Sequence, residues 1–338
     1  MEIQTSEINT VLEIQDLVVN YETDDGIVHA VNGVNLKLER GRTLALVGET
    51  GAGKTTIALS ILRLIQDPPG KIRGGSIRLE GEDLLTYTER QMEAIRGDKV
   101  SMIFQDPMTS LNPVLTVGDQ IAEVIQIHQK VSKAEAEKKA REMLELVGID
   151  GDRAKEYPHQ FSGGMKQRVV IAIALSCNPT LLIADEPTTA LDVTIQAQVL
   201  ELMKELREKY QTSMIMITHD LGIVAETCDE VSIVYAGRIV EHGTLRDIFK
   251  NTKHPYTVGL FNSLPNIKRR KDMLKPIKGL MPDPTNLPSG CPFHPRCDHA
   301  QEICSKRKPL TTYLSDTHFV ECLAYENGTG VTIAEREG

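Results

Sequence analysis

Apolar residues in this chain fall into short runs between polar turns, and several runs are continuous rather than alternating. Thr43-Leu44-Ala45-Leu46-Val47, Val100-Ser101-Met102-Ile103, Leu181-Leu182-Ile183-Ala184 and Met214-Ile215-Met216-Ile217 predict buried strands. Leu12-Glu13-Ile14-Gln15-Asp16-Leu17 alternates, and with Val31 to Leu38 it predicts a pair of antiparallel strands ahead of the strand 43–47. Gly75 to Glu80 predicts another strand, with a turn at Gly81-Glu82-Asp83. Val231 to Tyr235 and Arg238 to Glu241 flank Ala236-Gly237, a hairpin signal. Helix is predicted over Ile57–Ile65, over most of Thr116–Gly148, where Lys133 to Ala140 is rich in strong helix formers, and from Ser162 to about Ser176. The helical stretch interrupts the strand series, so it reads as a subdomain inserted into an α/β core. Beyond about Asn251 prolines become frequent and the pattern predicts no regular element.

Length and charge narrow this picture. The chain has 338 residues, enough for one to three domains, with 41% hydrophobic and 25% charged residues, an ordinary globular balance. A net charge of −9 argues against a general nucleic-acid binder. The longest apolar run, Val169 to Leu175, is far too short to span a bilayer. Met1-Glu2-Ile3-Gln4-Thr5 lacks the basic and apolar regions of a secretory signal, so the expectation is a protein of the cytosol.

The candidate chemistry sits where strands end. Gly48-Glu49-Thr50-Gly51-Ala52-Gly53-Lys54-Thr55-Thr56 joins the strand 43–47 to a helix. Its glycines let backbone N–H groups turn inward around a polyphosphate, and the helix N-terminus adds partial positive charge. Lys54 is expected on the β- and γ-phosphates and Thr55 on Mg²⁺. A plain glycine turn before an ordinary helix would not need the whole GxxxxGKT pattern. Gln105 follows the strand 100–103 at the edge that faces a ligand crevice, within reach of Mg²⁺ or an attacking water. Asp185 and Glu186 end the buried strand read over Thr180 to Pro187: Asp185 is the candidate Mg²⁺ ligand and Glu186 the candidate general base. His219 ends the strand 214–217 and is placed to meet a γ-phosphate. Phe161-Ser162-Gly163-Gly164-Met165 opens a helix, with Ser162 suited to an N-cap and two glycines making a second anion site. Tyr21, in a polar loop with Asp24-Asp25-Gly26, either stacks on an adenine ring or is a half-buried aromatic at a strand end.

Of six cysteines, Cys177 and Cys228 stand apart while Cys291, Cys297, Cys304 and Cys322 crowd the C-terminal end with spacing C-x5-C-x6-C-x17-C. In a reducing compartment such a cluster suggests a metal before a disulfide. Zinc suits four thiolates, with His294, His299 and His318 nearby, but the C-x2-C pairs usual in structural zinc sites are missing. The spacing matches no common ferredoxin run either, so it leaves the metal open. Lys268-Arg269-Arg270-Lys271 is a basic run, read as a solvated linker rather than a lipid contact.

Taken in order, these motifs resemble the ATP-binding subunit of ABC transporters, from about Leu12 to Ile248. In that family's terms Gly48–Thr55 is the Walker A loop, Gln105 the Q-loop glutamine and Phe161–Met165 the signature motif. Asp185 and Glu186 end Walker B, Ala190-Leu191-Asp192 is the D-loop and His219 the switch histidine. The signature usually opens with Leu and closes with Gln, where this chain has Phe161 and Met165, but Ser162, Gly163 and Gly164 keep the phosphate contacts. Phe104-Gln105-Asp106-Pro107-Met108-Thr109-Ser110-Leu111-Asn112-Pro113, His254-Pro255-Tyr256-Thr257 and the cysteine tail resemble the dipeptide/oligopeptide/nickel importer subfamily.

The resemblance implies a RecA-like P-loop core with an antiparallel β subdomain, a helical insert at about 107–165 and a small irregular cysteine-cluster domain. The expected division is a nucleotide-binding domain at 1–250 and a C-terminal extension at 251–338. It also implies ATP and Mg²⁺ as ligands, with Asp192 at the nucleotide, and a [4Fe–4S] cluster on the four tail cysteines, zinc being the alternative. The implied partners are two integral membrane permease subunits, an extracytoplasmic substrate-binding protein and a second, paralogous ATPase, a homodimer being the alternative. The chain would then sit peripherally at the cytoplasmic face of the membrane. One γ-phosphate can use both Gly48–Thr55 and Ser162–Gly164 only if these come from different chains, as in that family. A soluble ABC ATPase of DNA repair or translation fits less well, because the chain is acidic with one phosphate loop and no sustained heptads. A module holding ATP only structurally would not be expected to keep Gln105, Glu186 and His219 together.

Overall fold

The computed structural model describes residues 9–189, 191–263, 277–331 and 333. The basic run 268–271 and Ala190 therefore lie outside the described residues. Contacts group the described residues into two compact units, one of those within Met1–Glu13, Lys37–Thr43 and Ile77–Ile217, the other of those within Ile14–Leu36, Leu44–Ser76 and Thr218–Gly338.

In the first unit the continuous apolar runs become neighbouring parallel strands. Val100–Ile103 pairs with Leu181–Asp185, which pairs with Ser213–Thr218. Every residue of the last two is buried, as expected of strands covered on both faces, where each large aliphatic side chain contributes roughly 1.5–3 kcal/mol. Helices Gly163–Leu175 and Val193–Tyr210 follow the chain order of an α/β unit. The helical stretch is two helices, Val117–Gln129 and Lys133–Leu146, each opened by a hydroxyl cap, Thr116 and Ser132. The turn expected at 81–83 sits earlier: Glu80 and Gly81 both take positive φ, and Glu82–Asp83 pairs back on Arg78 and Leu79.

In the second unit, strand Thr43–Val47 runs parallel to Glu230–Tyr235 with Leu44 opposite Glu230 and Val47 opposite Ile233. The expected hairpin is present: Ala236 and Gly237 carry φ of 49° and 74°, the primed turn that matches strand twist, and Arg238–Thr244 returns antiparallel. Strand Thr10–Thr23 lies between Gly26–Glu39 and Gly70–Leu79. The two-residue turn joining the first pair makes them antiparallel.

Three expectations change here. Tyr21 is not in a loop: it lies on strand Thr10–Thr23, half-buried, its ring over the backbone of Gly70. The helix expected at Ile57–Ile65 is Lys54–Ile61, because Gly53 caps it early in the left-handed conformation and Arg63, at φ 50°, takes the chain out of helix. The proline-rich tail is ordered where described: helices Leu245–Lys250 and Pro255–Asn262 are followed by short strands Thr312–Tyr313 and Phe319–Val320. The last pairs with Arg238–Thr244, Glu241 facing Val320, so the sheet carrying the phosphate loop extends across the expected 250/251 boundary. Among the described residues no helix is long and apolar enough to cross a membrane.

Candidate functional site

The phosphate loop is built from a rigid base. Strand Thr43–Val47 is wholly buried and delivers Gly48, and helix Lys54–Ile61 starts directly after Gly53. Gly53 has φ 104°, and a Cβ there would stand 2.5 Å from the carbonyl oxygen of Ala30, so no other residue fits. Lys54 is buried, and its Nζ donates to the carbonyls of Gly48 (2.8 Å) and Glu49 (3.0 Å). The ammonium is thus held inside the curve of the loop, where it would meet phosphate oxygens. Thr50, Gly51 and Thr55 are exposed, Thr56 is half-buried and Ala52 is buried.

The paired acids lie in the first unit. Asp185 is buried at the end of its strand, paired across to Ile217. Glu186 takes φ 46°, a left-handed conformation uncommon for glutamate, pinned by its N–H donating to the Ile217 carbonyl at 2.8 Å. Such backbone strain tends to mark functional positions. Oε2 of Glu186 accepts from Gln105 Nε2 and from Thr189 Oγ1, each at 3.0 Å. Gln105 and Glu186, singled out separately in the sequence, are therefore in contact. Thr189 had no sequence signal beyond its place after Glu186.

The signature segment has the cap expected of it. Ser162 is exposed at the N-cap of helix Gly163–Leu175, its Oγ accepting from Met165 N at 3.4 Å. Gly163 is exposed too, and Gly164 packs close against Ile195. Asp192 caps helix Val193–Tyr210, accepting from the N–H groups of Thr194 and Ile195 at 3.1 and 3.0 Å, which gives its carboxylate a structural task. In the second unit His219 is exposed, directly after strand Ser213–Thr218.

The tail reaches the phosphate loop through residues the sequence did not single out for it. Arg296, 8% exposed, forks onto Glu49: Nη1 donates to Oε2 at 2.7 Å and Nη2 to Oε1 at 3.0 Å. Glu49 in turn holds the guanidinium charge and pushes the Arg296 pKa up. The Glu49 N–H donates to the hydroxyl of Tyr256 at 2.9 Å. Phe293 packs on Tyr256 and Tyr235 with ring centroids 5.4 and 5.2 Å apart. Tyr256 is set by its helix: Pro255 stands in the first turn and His254 Nδ1 caps the Tyr256 N–H at 3.1 Å.

All four tail cysteines line one cleft of ≈360 Å³, open solvent included, with His254, His294 and His299 around it. Desolvation pushes the Cys291 thiol up to about 11 and the Cys322 thiol up to about 12, and raises Cys297 as well. Burial thus favours the neutral thiols, and a metal or metal cluster bound there would have to offset the charge of the thiolates. Among the described residues no three His, Cys, Asp or Glu side chains converge closely enough to hold a single ion. The four thiols thus share one cleft.

Comparison with known proteins shows the family. Residues 31–189 match the ABC transporter family and residues 240–304 match the oligopeptide/dipeptide transporter C-terminal region. The chain is 52% identical to the oligopeptide transport ATP-binding protein AppD of Bacillus subtilis over 321 residues, 94% of this chain and 98% of that protein. It is 49% identical to the oligopeptide transport ATP-binding protein OppD of Salmonella typhimurium, covering 90% of this chain and 91% of that one. Among solved structures it is similar to the ATP-binding cassette MJ0796 in a dimeric post-hydrolysis state bound to ADP and Pi, with 27% identity and TM-score 0.63 over 70% of this chain and 99% of that one.

Proposed function

Since the chain belongs to the ATP-binding subunits of oligopeptide/dipeptide ABC transporters, we propose that it hydrolyses ATP to drive uptake of di- or oligopeptides through a membrane permease. The observation that carries the chemistry is Glu186, a carboxylate at the end of a buried strand with its backbone strained and its oxygen held by two donors. Such a group is pre-positioned to take a proton from an attacking water. Lys54 and the loop N–H groups bind the β- and γ-phosphates, and Thr55, Asp185 and Gln105 would hold Mg²⁺, which neutralises charge on the transferred phosphoryl group. His219 contacts the γ-phosphate. Tyr21 is offered as the residue that stacks on the adenine ring, with Cδ1 and Cε1 of its ring close to Gly70. Asp192 meets nucleotide across the dimer while keeping its capping bonds. Nickel or another small solute is the alternative cargo.

The working assembly in this reading is a dimer of cassettes, this chain with a paralogue or a second copy. It sits on two permease subunits at the cytoplasmic face of the membrane and is fed by a substrate-binding protein. We keep the division into a nucleotide-binding domain at 1–250 and a C-terminal extension at 251–338, which the separate match at 240–304 favours. The extension's four cysteines would hold a [4Fe–4S] cluster. What supports this reading is the donor set: all four thiols line one cleft.

The test is ATPase activity of the purified chain reconstituted with its permease, partner ATPase and binding protein. Stimulation by di- or oligopeptide supports the reading, and stimulation by nickel alone moves it to the alternative. Purified without oxygen, the chain should be brown, with absorbance near ~400 nm from thiolate-bound iron. Cys291→Ser, Cys297→Ser, Cys304→Ser or Cys322→Ser should bleach it, whereas Cys177→Ser and Cys228→Ser should not. Colourless protein carrying one equivalent of zinc would assign the cleft to zinc.

A further inference from the structure

We propose that Arg296 is a positioning residue for the phosphate loop, through which the thiol cleft and the nucleotide site are energetically coupled. It lies in the 3₁₀ turn His294–Arg296, between Cys291 and Cys297 and adjacent to the latter. Its fork on Glu49 is bidentate and almost fully buried on the arginine side. The remaining donors are spent on the same tail: Nε bonds the Lys278 carbonyl at 2.9 Å, Nη2 the Gly279 carbonyl at 3.3 Å and Nη1 the Met281 sulfur at 3.4 Å. The guanidinium also stands 5.8 Å over the Tyr235 ring. A planar fork committed on every side has one position, so it transmits displacement instead of absorbing it.

Glu49 is the second residue of the loop, and two of its groups are held by the tail. Its carboxylate meets Arg296 and its N–H meets the Tyr256 hydroxyl, while its carbonyl accepts from Lys54 Nζ. The lysine that neutralises phosphate is therefore two hydrogen bonds from the turn that carries Cys297. Moving Cys291 or Cys297, by loading, losing or modifying whatever the four thiols hold, tilts the turn and with it Arg296. The carboxylate of Glu49 must then follow or lose a buried charged partner. Tyr235, Tyr256 and Phe293 pack this connection tightly enough that the displacement is not dissipated locally.

Coupling of this kind is reciprocal in binding free energy: if the occupancy of the cleft changes nucleotide affinity, nucleotide changes the affinity of the cleft for its occupant by the same factor, and the exposure of the thiols to reagent reports the direction of that change. The experiment uses the full chain purified without oxygen. Binding of Mg²⁺ and a non-hydrolysable ATP analogue is measured first, so failure of the nucleotide site itself is recognised separately. Alkylation of Cys291, Cys297, Cys304 and Cys322 by iodoacetamide is then timed by peptide mass spectrometry with and without the analogue, Cys177 serving as internal reference. The expected result is a nucleotide effect of roughly fivefold or more on the tail cysteines, at the low end of linked sites, with Cys177 unchanged. Arg296→Met should weaken analogue binding and abolish that effect, with Arg296→Lys in between because it cannot fork. Glu49→Gln, at a half-exposed side chain, carries the same test should Arg296→Met not fold. In the double variant Glu49→Gln/Arg296→Lys the losses should not add, since both changes remove one interaction. Lowered melting temperature with unchanged analogue affinity would reduce Arg296 to a packing residue. A nucleotide effect on the cysteines that survives both single variants would overturn the route.

Discussion

Gln105 Nε2 donates to Glu186 Oε2 across 3.0 Å, though 81 residues separate them. The sheet register explains the meeting. Ile103 is paired with Ala184 in parallel strands, and each of the two residues follows its paired position by two. The carboxylate proposed to activate water is therefore held by the side chain proposed to touch Mg²⁺ or the attacking water.

Glu186→Gln should preserve nucleotide binding and stop turnover. The amide keeps the shape and can still accept from Thr189, but it cannot take a proton. Loss of a general base costs on the order of 10²–10⁴ in rate. Single-turnover hydrolysis read beside nucleotide affinity checks this, and wild-type turnover in the variant would remove Glu186 from the role.

Lys54→Ala should act on binding instead. The ammonium bridges the Gly48 and Glu49 carbonyls, so its loss removes both the phosphate charge and the internal tie that curves the loop. Calorimetric titration should give affinity weaker by roughly tenfold to a hundredfold, the scale of a lost charge-assisted hydrogen bond.

Ser162→Arg should block ATP-dependent dimerisation while leaving nucleotide binding by the single chain largely intact. Ser162 is exposed and at a helix N-cap, so the added side chain meets solvent within one chain but a phosphate and a partner surface in a closed pair. The lost cap costs about 1 kcal/mol of stability, which melting should register separately. Size-exclusion chromatography with ATP, in a Glu186→Gln background, reads the dimer. Equal loss of monomer binding would count against the sandwich.

Stability should fall as pH drops from about 6.5 towards 4. Burial holds the imidazoles of His242 and His254 down to about 4. His242 faces Ser232, His318, Asp247 and Glu230, and His254 lies beside Glu241. Both histidines are neutral when folded but protonate in the unfolded chain near their ordinary value, so the unfolded state gains protons first and is favoured through that window. The two together are worth on the order of a few kcal/mol. Denaturant melts across the range check it, and His242→Gln should flatten the slope without lowering stability at pH 5 as much as at pH 7.

Much of the candidate nucleotide site is legible along the chain because its local structure is set at short range. The loop Gly48–Thr56, the cap at Ser162 and the strand ends at Gln105, Asp185 and His219 are each fixed by a few consecutive residues, where glycine conformation, helix capping and continuous apolar runs act at short range. Tyr21 and the end of the first helix were misplaced because strand length and helix termination depend on what packs against them: Gly70 in one case, a left-handed Arg63 in the other. The contacts that tie the cysteine tail to the loop had no local signature at all. Arg296 and Glu49 are 247 positions apart, and nothing in Pro295-Arg296-Cys297 distinguishes a buried fork from a solvated arginine. Whether a charge is buried against a partner is a property of the folded sheet and its aromatic packing, because the desolvation that makes the pair rigid exists only once the distant segments have met.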